Sequence, residues 1–269
     1  MTEKNRIKVA VAGAKGRMGQ EVVKMLVADD SLELVVAIDS KLDGIDVGEV
    51  VCGKSLGVFF VNSMEKALSQ YKPDVLVDFT TPHSIYNHMQ LALQYGVRPV
   101  VGTTGLSPAQ IEEVTNRFAE AKLGAIIAPN FTIGAILCMK FAAMAAKYMP
   151  HVEIIELHHD RKLDAPSGTA VKTAEMIASA RTQINQGHPD EEETLEGARG
   201  ANYDGFRIHS VRLPGLVAHQ EVLFGATGQT LSIRHDSITR EAYMPGVNMA
   251  IKAVMNLDSL VYGLEHLID

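Results

Sequence analysis

Apolar residues along the chain fall into short, dense runs separated by longer stretches in which they recur every three or four positions, and that alternation predicts strands and helices in turn. Ile7–Ala12, Leu34–Ile38, Val75–Phe79, Pro99–Val101 and Ala125–Ile127 are nearly continuous runs, as expected of strands buried on both faces. Amphipathic stretches lie between them: one running to Ala28, then Ser84–Gln94 and Pro108–Ala121. This order predicts an α/β domain with a doubly wound parallel sheet. A helical pattern from Ile133 to Tyr148 leads into the strand-like run Val152–Leu157, where a different unit starts. There a helix is expected over Thr169–Ala178 and a solvated acidic loop over Gly187–Glu193. Phe206–Leu213, Ala218–Phe224 and Thr230–Asp236 are short β-like runs broken by Pro214-Gly215 and by Gly225 to Gly228, which predicts an α+β unit with a mixed sheet. Met249–Leu267 returns to helical periodicity and is expected to fold back onto the first unit.

The glycine-rich turn Gly13-Ala14-Lys15-Gly16-Arg17-Met18-Gly19 follows the first strand directly, and Asp39 closes the second. Strand, glycine turn, helix, strand, acid is the order of a Rossmann-like dinucleotide-binding unit. Glycines let backbone approach a pyrophosphate, the helix end stabilises it, and the acid accepts ribose hydroxyls. Asp39 stands 20 residues beyond Gly19, where the ribose contact is expected. Small polar residues close later strands: Thr80-Thr81, Gly102-Thr103-Thr104, and Ala128-Pro129-Asn130-Phe131. Together they are candidates to line a nicotinamide pocket.

Most informative is the run from Glu156 to Ala170, which gathers His158, His159 and Lys162 ahead of the turn Asp164-Ala165-Pro166-Ser167. The adjacent histidines, at the end of a strand, are expected to leave on opposite faces and do different work. The following helix turns the N–H groups of Gly168 and Thr169 outward, as donors suited to a carboxylate or phosphate.

Composition narrows the partners. A net charge of −7 and a pI near 5.8 argue against a broad nucleic-acid or anionic-membrane surface, so any anion binds locally. Cys52 and Cys138 are far apart and form no metal-ligand spacing, as expected of free thiols in a reducing cytoplasm. The run Ile7–Ala12 is too short for a signal peptide, and Pro129, Asn130 and Thr132 interrupt the uncharged stretch Gly124–Met139, so no membrane span is expected.

These motifs together resemble the 4-hydroxy-tetrahydrodipicolinate reductase (dihydrodipicolinate reductase) family. The resemblance spans nearly the whole chain and rests on Gly13-x-x-Gly-Arg-Met-Gly19, Asp78-Phe-Thr80, Gly102-Thr-Thr-Gly105, Pro129-Asn-Phe131 and, most specifically, His158-His-x-x-Lys162-x-Asp-Ala-Pro-Ser-Gly-Thr-Ala170. It implies a dinucleotide-binding domain of residues 1–130 with 241–269, and a substrate-binding and tetramerisation domain of residues 131–240. The chain would cross near Asn130-Phe131 and near Ile238–Glu241, which become hinges.

The resemblance further implies that Gly13 to Met18 meet the pyrophosphate of NADH or NADPH and Asp39 the ribose. Gly102 to Thr104 and Ala128 to Phe131 would take the nicotinamide side. His158 is implied as the general acid, paired with Lys162, while His159, Lys162, Gly168 and Thr169 hold a small cyclic dicarboxylate. The implied enzyme is a cytoplasmic homotetramer that needs no metal. Many members follow the ribose-binding acid with arginine. Here Ser40 and Lys41 follow Asp39, which implies use of both cofactors with a tilt toward NADH. Two rivals are another two-domain dehydrogenase acting on an amino acid or semialdehyde, and a nicotinamide-sensing regulatory module without chemistry. The His158–Ala170 run speaks against the first, and the absence of a basic recognition helix against the second.

Overall fold

The first apolar run forms β1 (Ile7–Ala12), buried from Val9 onward, and Gly13 ends it at φ +74°, a conformation that costs glycine nothing. In this computed structural model, which describes residues 6–268, α1 (Arg17–Ala28) follows with Gly19, Val22, Val23 and Leu26 inward. β2 (Leu32–Ile38) then pairs parallel to β1. Asp46 organises an excursion that the apolar pattern does not announce. Its carboxylate accepts hydrogen bonds from the backbone of Gly48, Leu56 and Gly57 and from the Ser55 hydroxyl, which caps the short α2 (Val47–Val51) and brings β3 (Phe60–Val61) beside β2. The chain continues through α3 (Met64–Tyr71), β4 (Val75–Asp78), α4 (Ile85–Tyr95), β5 (Arg98–Val101), α5 (Pro108–Glu120) and β6 (Ala125–Ile127). Ser107 starts α5 with a capping box closed by Gln110, a signal written in the sequence.

Residues Thr132–Ala242 form a second compact unit. α6 (Ile133–Ala146) and α7 (Gly168–Ala180) pack on one face of a five-stranded sheet of β7 (His151–His158), β8 (Ala201–Tyr203), β9 (Phe206–Arg212), β10 (Ala218–Ala226) and β11 (Gln229–Ser237), ordered β11-β10-β7-β9-β8. β7 pairs antiparallel with β10 and parallel with β9, so the sheet is mixed. Its core face carries Val152, Ile154, Ile208, Val222 and Phe224 against Ala142, Ala174 and Ile177 of the helices. Each large apolar side chain buried this way contributes about 1.5–3 kcal/mol. The irregular segment after α7 is tied down by buried Arg181, which donates to the carbonyls of Pro150, Ile184 and Asp204 and lies over the Phe206 ring.

The chain then rejoins the first unit, which comprises Met1–Phe131 and Tyr243–Asp269. Residues 1–5 and 269, the ends of the expected dinucleotide-binding domain, lie outside the described residues. Helical periodicity over Met249–Leu267 predicts one helix, and the structure corrects this. α8 (Met244–Val254) begins earlier and stops; Leu260–Tyr262 is β12, parallel to β6; Leu264–Leu267 is a single 3₁₀ turn. The apolar triplet Leu-Val-Tyr has an unpaired sheet edge to join, and Gly263 at φ +99° turns the chain away beyond it. Pairing partners outweigh local periodicity here.

The completed sheet is parallel, with order β12-β6-β5-β4-β1-β2-β3. Connections leave β1 toward β2 on one side, whereas β4 sits on the other. The carboxyl ends of β1 and β4 therefore flank the topological switch point, where such sheets bind ligands. Among the described residues no helix is long and apolar enough to cross a membrane.

Candidate active site

On the first unit, the switch point is built mainly from backbone. A Cβ on Gly13 would lie 2.6 Å from the Phe79 carbonyl oxygen, and one on Gly19 would lie 2.2 Å from the Gly13 carbonyl oxygen. Missing side chains thus let β1, its turn, α1 and the end of β4 close on one another. Gly16 is the N-cap of α1; no side chain caps that end, and the first turn holds no acidic residue. Lys15, Gly16 and Arg17 are exposed around it, whereas Ala14 is fully buried and its N–H donates to the Ile38 carbonyl, so it shapes the turn by packing. These features fit a dinucleotide pyrophosphate.

Asp39 stands at the end of β2, where its carboxylate accepts from the Lys41 backbone N–H at 3.0 Å in a tight turn. Ser40 and Lys41 are exposed beside it. At the end of β4, buried Asp78 is a hub that sequence reading left out of the site. One oxygen accepts from the Thr80 backbone at 2.9 Å and hydroxyl at 2.6 Å and from the Thr103 hydroxyl at 3.3 Å, and the other meets His88 Nδ1 at 2.7 Å. Thr103 is accordingly buried with its hydroxyl turned inward, while Thr104 is exposed. Gly102 is required by packing, since a Cβ there would lie 2.1 Å from the Phe79 ring. Phe79 in turn packs on buried Phe131, with ring centroids 5.8 Å apart. Ala128 is buried as well, whereas Pro129 is exposed and Asn130 half-buried.

On the second unit the site is made of charges. Strand alternation puts Glu156 and His158 on one face of β7, and His158 Nδ1 lies 2.5 Å from Glu156 Oε2. Parallel pairing sets Arg212 of β9 beside His158. Its guanidinium donates to both oxygens of Glu156, at 2.7 and 2.9 Å, and to the Asp164 carbonyl at 2.8 Å. Glu156 is wholly buried. Burial pushes its pKa up, but hydrogen bonds from His158, Arg212 and Ser210 outweigh burial and hold the carboxyl down at about 2. The same carboxylate accepts from the Ser167 backbone at 3.1 Å, and the Ser167 hydroxyl caps α7 through Ala170.

Lys162 makes a two-pronged contact with the exposed Asp164 carboxylate, at 2.7 and 2.8 Å. His159 sits one residue beyond β7, and its Nδ1 is buried without a hydrogen-bond partner among the described residues. Such an atom is costly unless a ligand satisfies it. Gly168 is exposed and Thr169 half-buried at the first turn of α7, which carries no acidic residue. The structure thus gathers His158, His159, Lys162, Gly168 and Thr169 around one strand end and the helix that follows. Glu156 and Arg212 were missed as site residues. Glu156 had a signal in its two-residue spacing from His158; Arg212, 56 positions away, had none. Among the described residues no three His, Cys, Asp or Glu side chains meet in a way that would hold a metal ion.

A Rossmann-like sheet with a glycine cradle at its switch point, followed by a mixed-sheet unit, defines a pyridine-nucleotide-dependent oxidoreductase. The chain belongs to the dihydrodipicolinate reductase family: residues 7–131 match the family's N-terminal domain and 134–268 its C-terminal domain. It is 59% identical to the 4-hydroxy-tetrahydrodipicolinate reductase of Halalkalibacterium halodurans, over 98% of this chain and 100% of the relative. The Geobacillus kaustophilus enzyme of the same name is 56% identical, over 98% of this chain and 99% of the relative. Among solved structures, the dipicolinate-bound dihydrodipicolinate reductase from Paenisporosarcina sp. TG-14 is 51% identical, with a TM-score of 0.87 over 98% of this chain and 100% of that one. The family membership implies a reductase of diaminopimelate and lysine biosynthesis.

Proposed function

We propose that this chain reduces 4-hydroxy-tetrahydrodipicolinate to tetrahydrodipicolinate with NADH or NADPH, as a cytoplasmic homotetramer. The observation that carries this reading is an imidazole, His158, held by a buried carboxylate, with Lys162 in the loop that follows and the N-terminus of α7 beyond it. That is a proton donor next to an anion seat. The dipicolinate bound to the Paenisporosarcina relative supports a planar cyclic dicarboxylate as the ligand class.

When bound, the reduced nicotinamide supplies a hydride. Gly13, Ala14, Lys15, Gly16, Arg17 and Met18 form the turn that receives the pyrophosphate; the N–H groups of Gly13 and Ala14 donate to the Ile38 carbonyl and that of Gly16 to Gly13, which leaves Lys15 and, at the end of α1, Arg17 and Met18 as the donors. Asp39 accepts the ribose hydroxyls, with Ser40 and Lys41 beside it. Gly102, Thr103 and Thr104 and the segment Ala128 to Phe131 shape the nicotinamide side, the buried members by packing alone. His159, Gly168 and Thr169 hold the substrate carboxylates by hydrogen bonds. Lys162 exchanges its exposed Asp164 partner for one of them, so binding costs little desolvation of a bare ammonium.

The 4-hydroxyl would leave as water together with a proton from the adjacent ring carbon, which makes the conjugated imine; hydride supplied by the bound cofactor would add at C4, and His158 would return a proton to the adjacent carbon where electron density then collects. Asp39 repels the 2′-phosphate of NADPH, while Lys41, Lys15 and Arg17 attract it only weakly from exposed positions. Both cofactors therefore serve, with a modest tilt toward NADH. Tetramer formation is supported by the sheet face opposite α6 and α7, where alternation places Ile155, Leu157 and Leu223.

The test is NADH consumption with the substrate generated from pyruvate and aspartate semialdehyde. Saturable consumption that dipicolinate inhibits is expected. Absent turnover with this substrate, or faster turnover with an amino acid or open-chain semialdehyde, would overturn the reading.

A further inference from the structure

We infer that Glu156 is the positioning residue for His158: it fixes the imidazole through Nδ1 and leaves Nε2 as the nitrogen that gives up the proton, with Arg212 holding Glu156 in place. This deepens the proposal above and rests on His158 being the general acid.

The geometry leaves little freedom. Glu156 has no solvent exposure, and its two oxygens are held by His158 Nδ1 and Arg212 Nη1 on Oε2 and by Arg212 Nη2 and the Ser167 N–H on Oε1, with the Ser210 side chain as a further donor to the carboxylate. An ionised carboxylate only accepts hydrogen bonds, so a ring nitrogen 2.5 Å away must carry a proton. The neutral imidazole is then the Nδ1–H tautomer with a bare Nε2, and the protonated ring has its second N–H on Nε2, away from the strand. The strands place Glu156 on the same strand and Arg212 of β9 beside this ring, and its register partner on β10 is the uncharged Ala218.

Stability alone gives little reason for such a cluster, because a buried ion pair seldom outperforms an apolar pair of the same volume. Its connections are better explained by alignment. Through Ser167, Glu156 sets the N-cap of α7; through Arg212, it reaches the Asp164 carbonyl in the loop that carries Lys162. The Leu213 N–H fixes the His158 carbonyl from the end of β9. One carboxylate thus aligns the proton donor with the helix end and loop expected to hold the dicarboxylate.

The experiment uses the full chain labelled with ¹⁵N-histidine, with His158 identified by the signal lost in His158→Gln. At a pH where the ring is neutral, the wild type is expected to show the Nδ1–H tautomer. The Nε2–H tautomer, which free histidine prefers, would overturn the inference without any variant having to fold. Glu156→Gln should raise the Nε2–H population and lower kcat by about 10²-fold or more, approaching the ~10⁴-fold known for an orienting carboxylate behind a catalytic imidazole. Glu156→Gln/Arg212→Met removes both charges, avoids an unpaired arginine, and should show the same tautomer shift; a retained Nδ1–H tautomer would overturn the inference.

In a His158→Gln background, adding Glu156→Gln should change kcat by no more than about 2-fold, since the two residues act as one unit. A full second loss would mean that Glu156 acts independently of His158. If His158→Gln alone turned over normally, the general-acid assignment would fail, and the tautomer measurement would still decide whether Glu156 holds the ring.

Discussion

Both units end a strand in a helix N-terminus suited to an anion, and they build it in opposite ways. After β1 the seat consists of absent side chains. Gly13 and Gly19 sit where a Cβ would strike a backbone carbonyl, and no side chain caps α1. After β7 it consists of side chains that restrain one another. Ser167 caps α7, buried Glu156 binds Arg212 and His158, and a Cβ on Gly168 would meet nothing within 4 Å. The first seat should be intolerant of added carbon and indifferent to small changes of charge; the second should be the reverse. A cofactor held by its phosphates needs close backbone approach. A step that moves a proton needs charges fixed in place.

The sharpest test of the charged seat is His158→Gln, expected to lower kcat by about 10²- to 10⁴-fold. The cofactor dissociation constant, measured by fluorescence titration, should stay at the wild-type value. Lys162→Ala should lower kcat less and also raise KM, because it removes a carboxylate partner. Normal turnover of either variant at saturating substrate would dissolve the distinction between the seats.

The backbone seat is tested by Gly13→Ala, which forces a side chain to φ +74° and to 2.6 Å from the Phe79 carbonyl oxygen. A loss of about 1–3 kcal/mol in stability is expected, with weaker cofactor binding. Gly168→Ala is the control on the other seat and should stay within about 0.5 kcal/mol of wild type by thermal melt. Equal losses at both glycines would break the comparison.

A smaller effect concerns pH. Because the Glu156 pKa is depressed in the fold, its contribution to stability is complete above about pH 4.5, its unfolded value, and is lost as pH falls toward about 2. Glu156→Gln should flatten the acid limb of the denaturation curve within that window and change its slope little above it. The smallest effect is expected of Ser40→Arg, which adds an exposed partner for the 2′-phosphate. It should move the NADPH-to-NADH ratio of kcat/KM upward by roughly 2- to 5-fold, as an exposed ion pair gives about 0–1 kcal/mol. An unchanged ratio would put the phosphate contact elsewhere.

Much of this is legible in the sequence. The strand and helix alternation over Ile7–Ile127, the glycine turn, and the His158–Ala170 run depend on residues within a turn or two of each other, and Asp39 follows the glycine turn at the spacing of a single strand–helix–strand unit. Less legible were α2 and β3, because Asp46 organises them through backbone donors as far as Gly57. Nor was it legible that the Thr103 hydroxyl turns to Asp78, since that contact depends on the pairing of β4 with β5.

The sequence by itself determined where most strands and helices lie, which turns need glycine, and which chemical groups cluster along the chain, since periodicity, turn chemistry and capping act locally. Only the tertiary structure decided that Leu260–Tyr262 is a strand, that Asp78 joins Thr80, Thr103 and His88, and that Arg212 meets Glu156. The β12 pairing, the Asp78–Thr103 contact and the Arg212–Glu156 contact depend on sheet register, which brings together residues tens of positions apart, and His88 is delivered by the packing of α4. A buried carboxylate such as Glu156 stays ionised only once such distant partners have arrived.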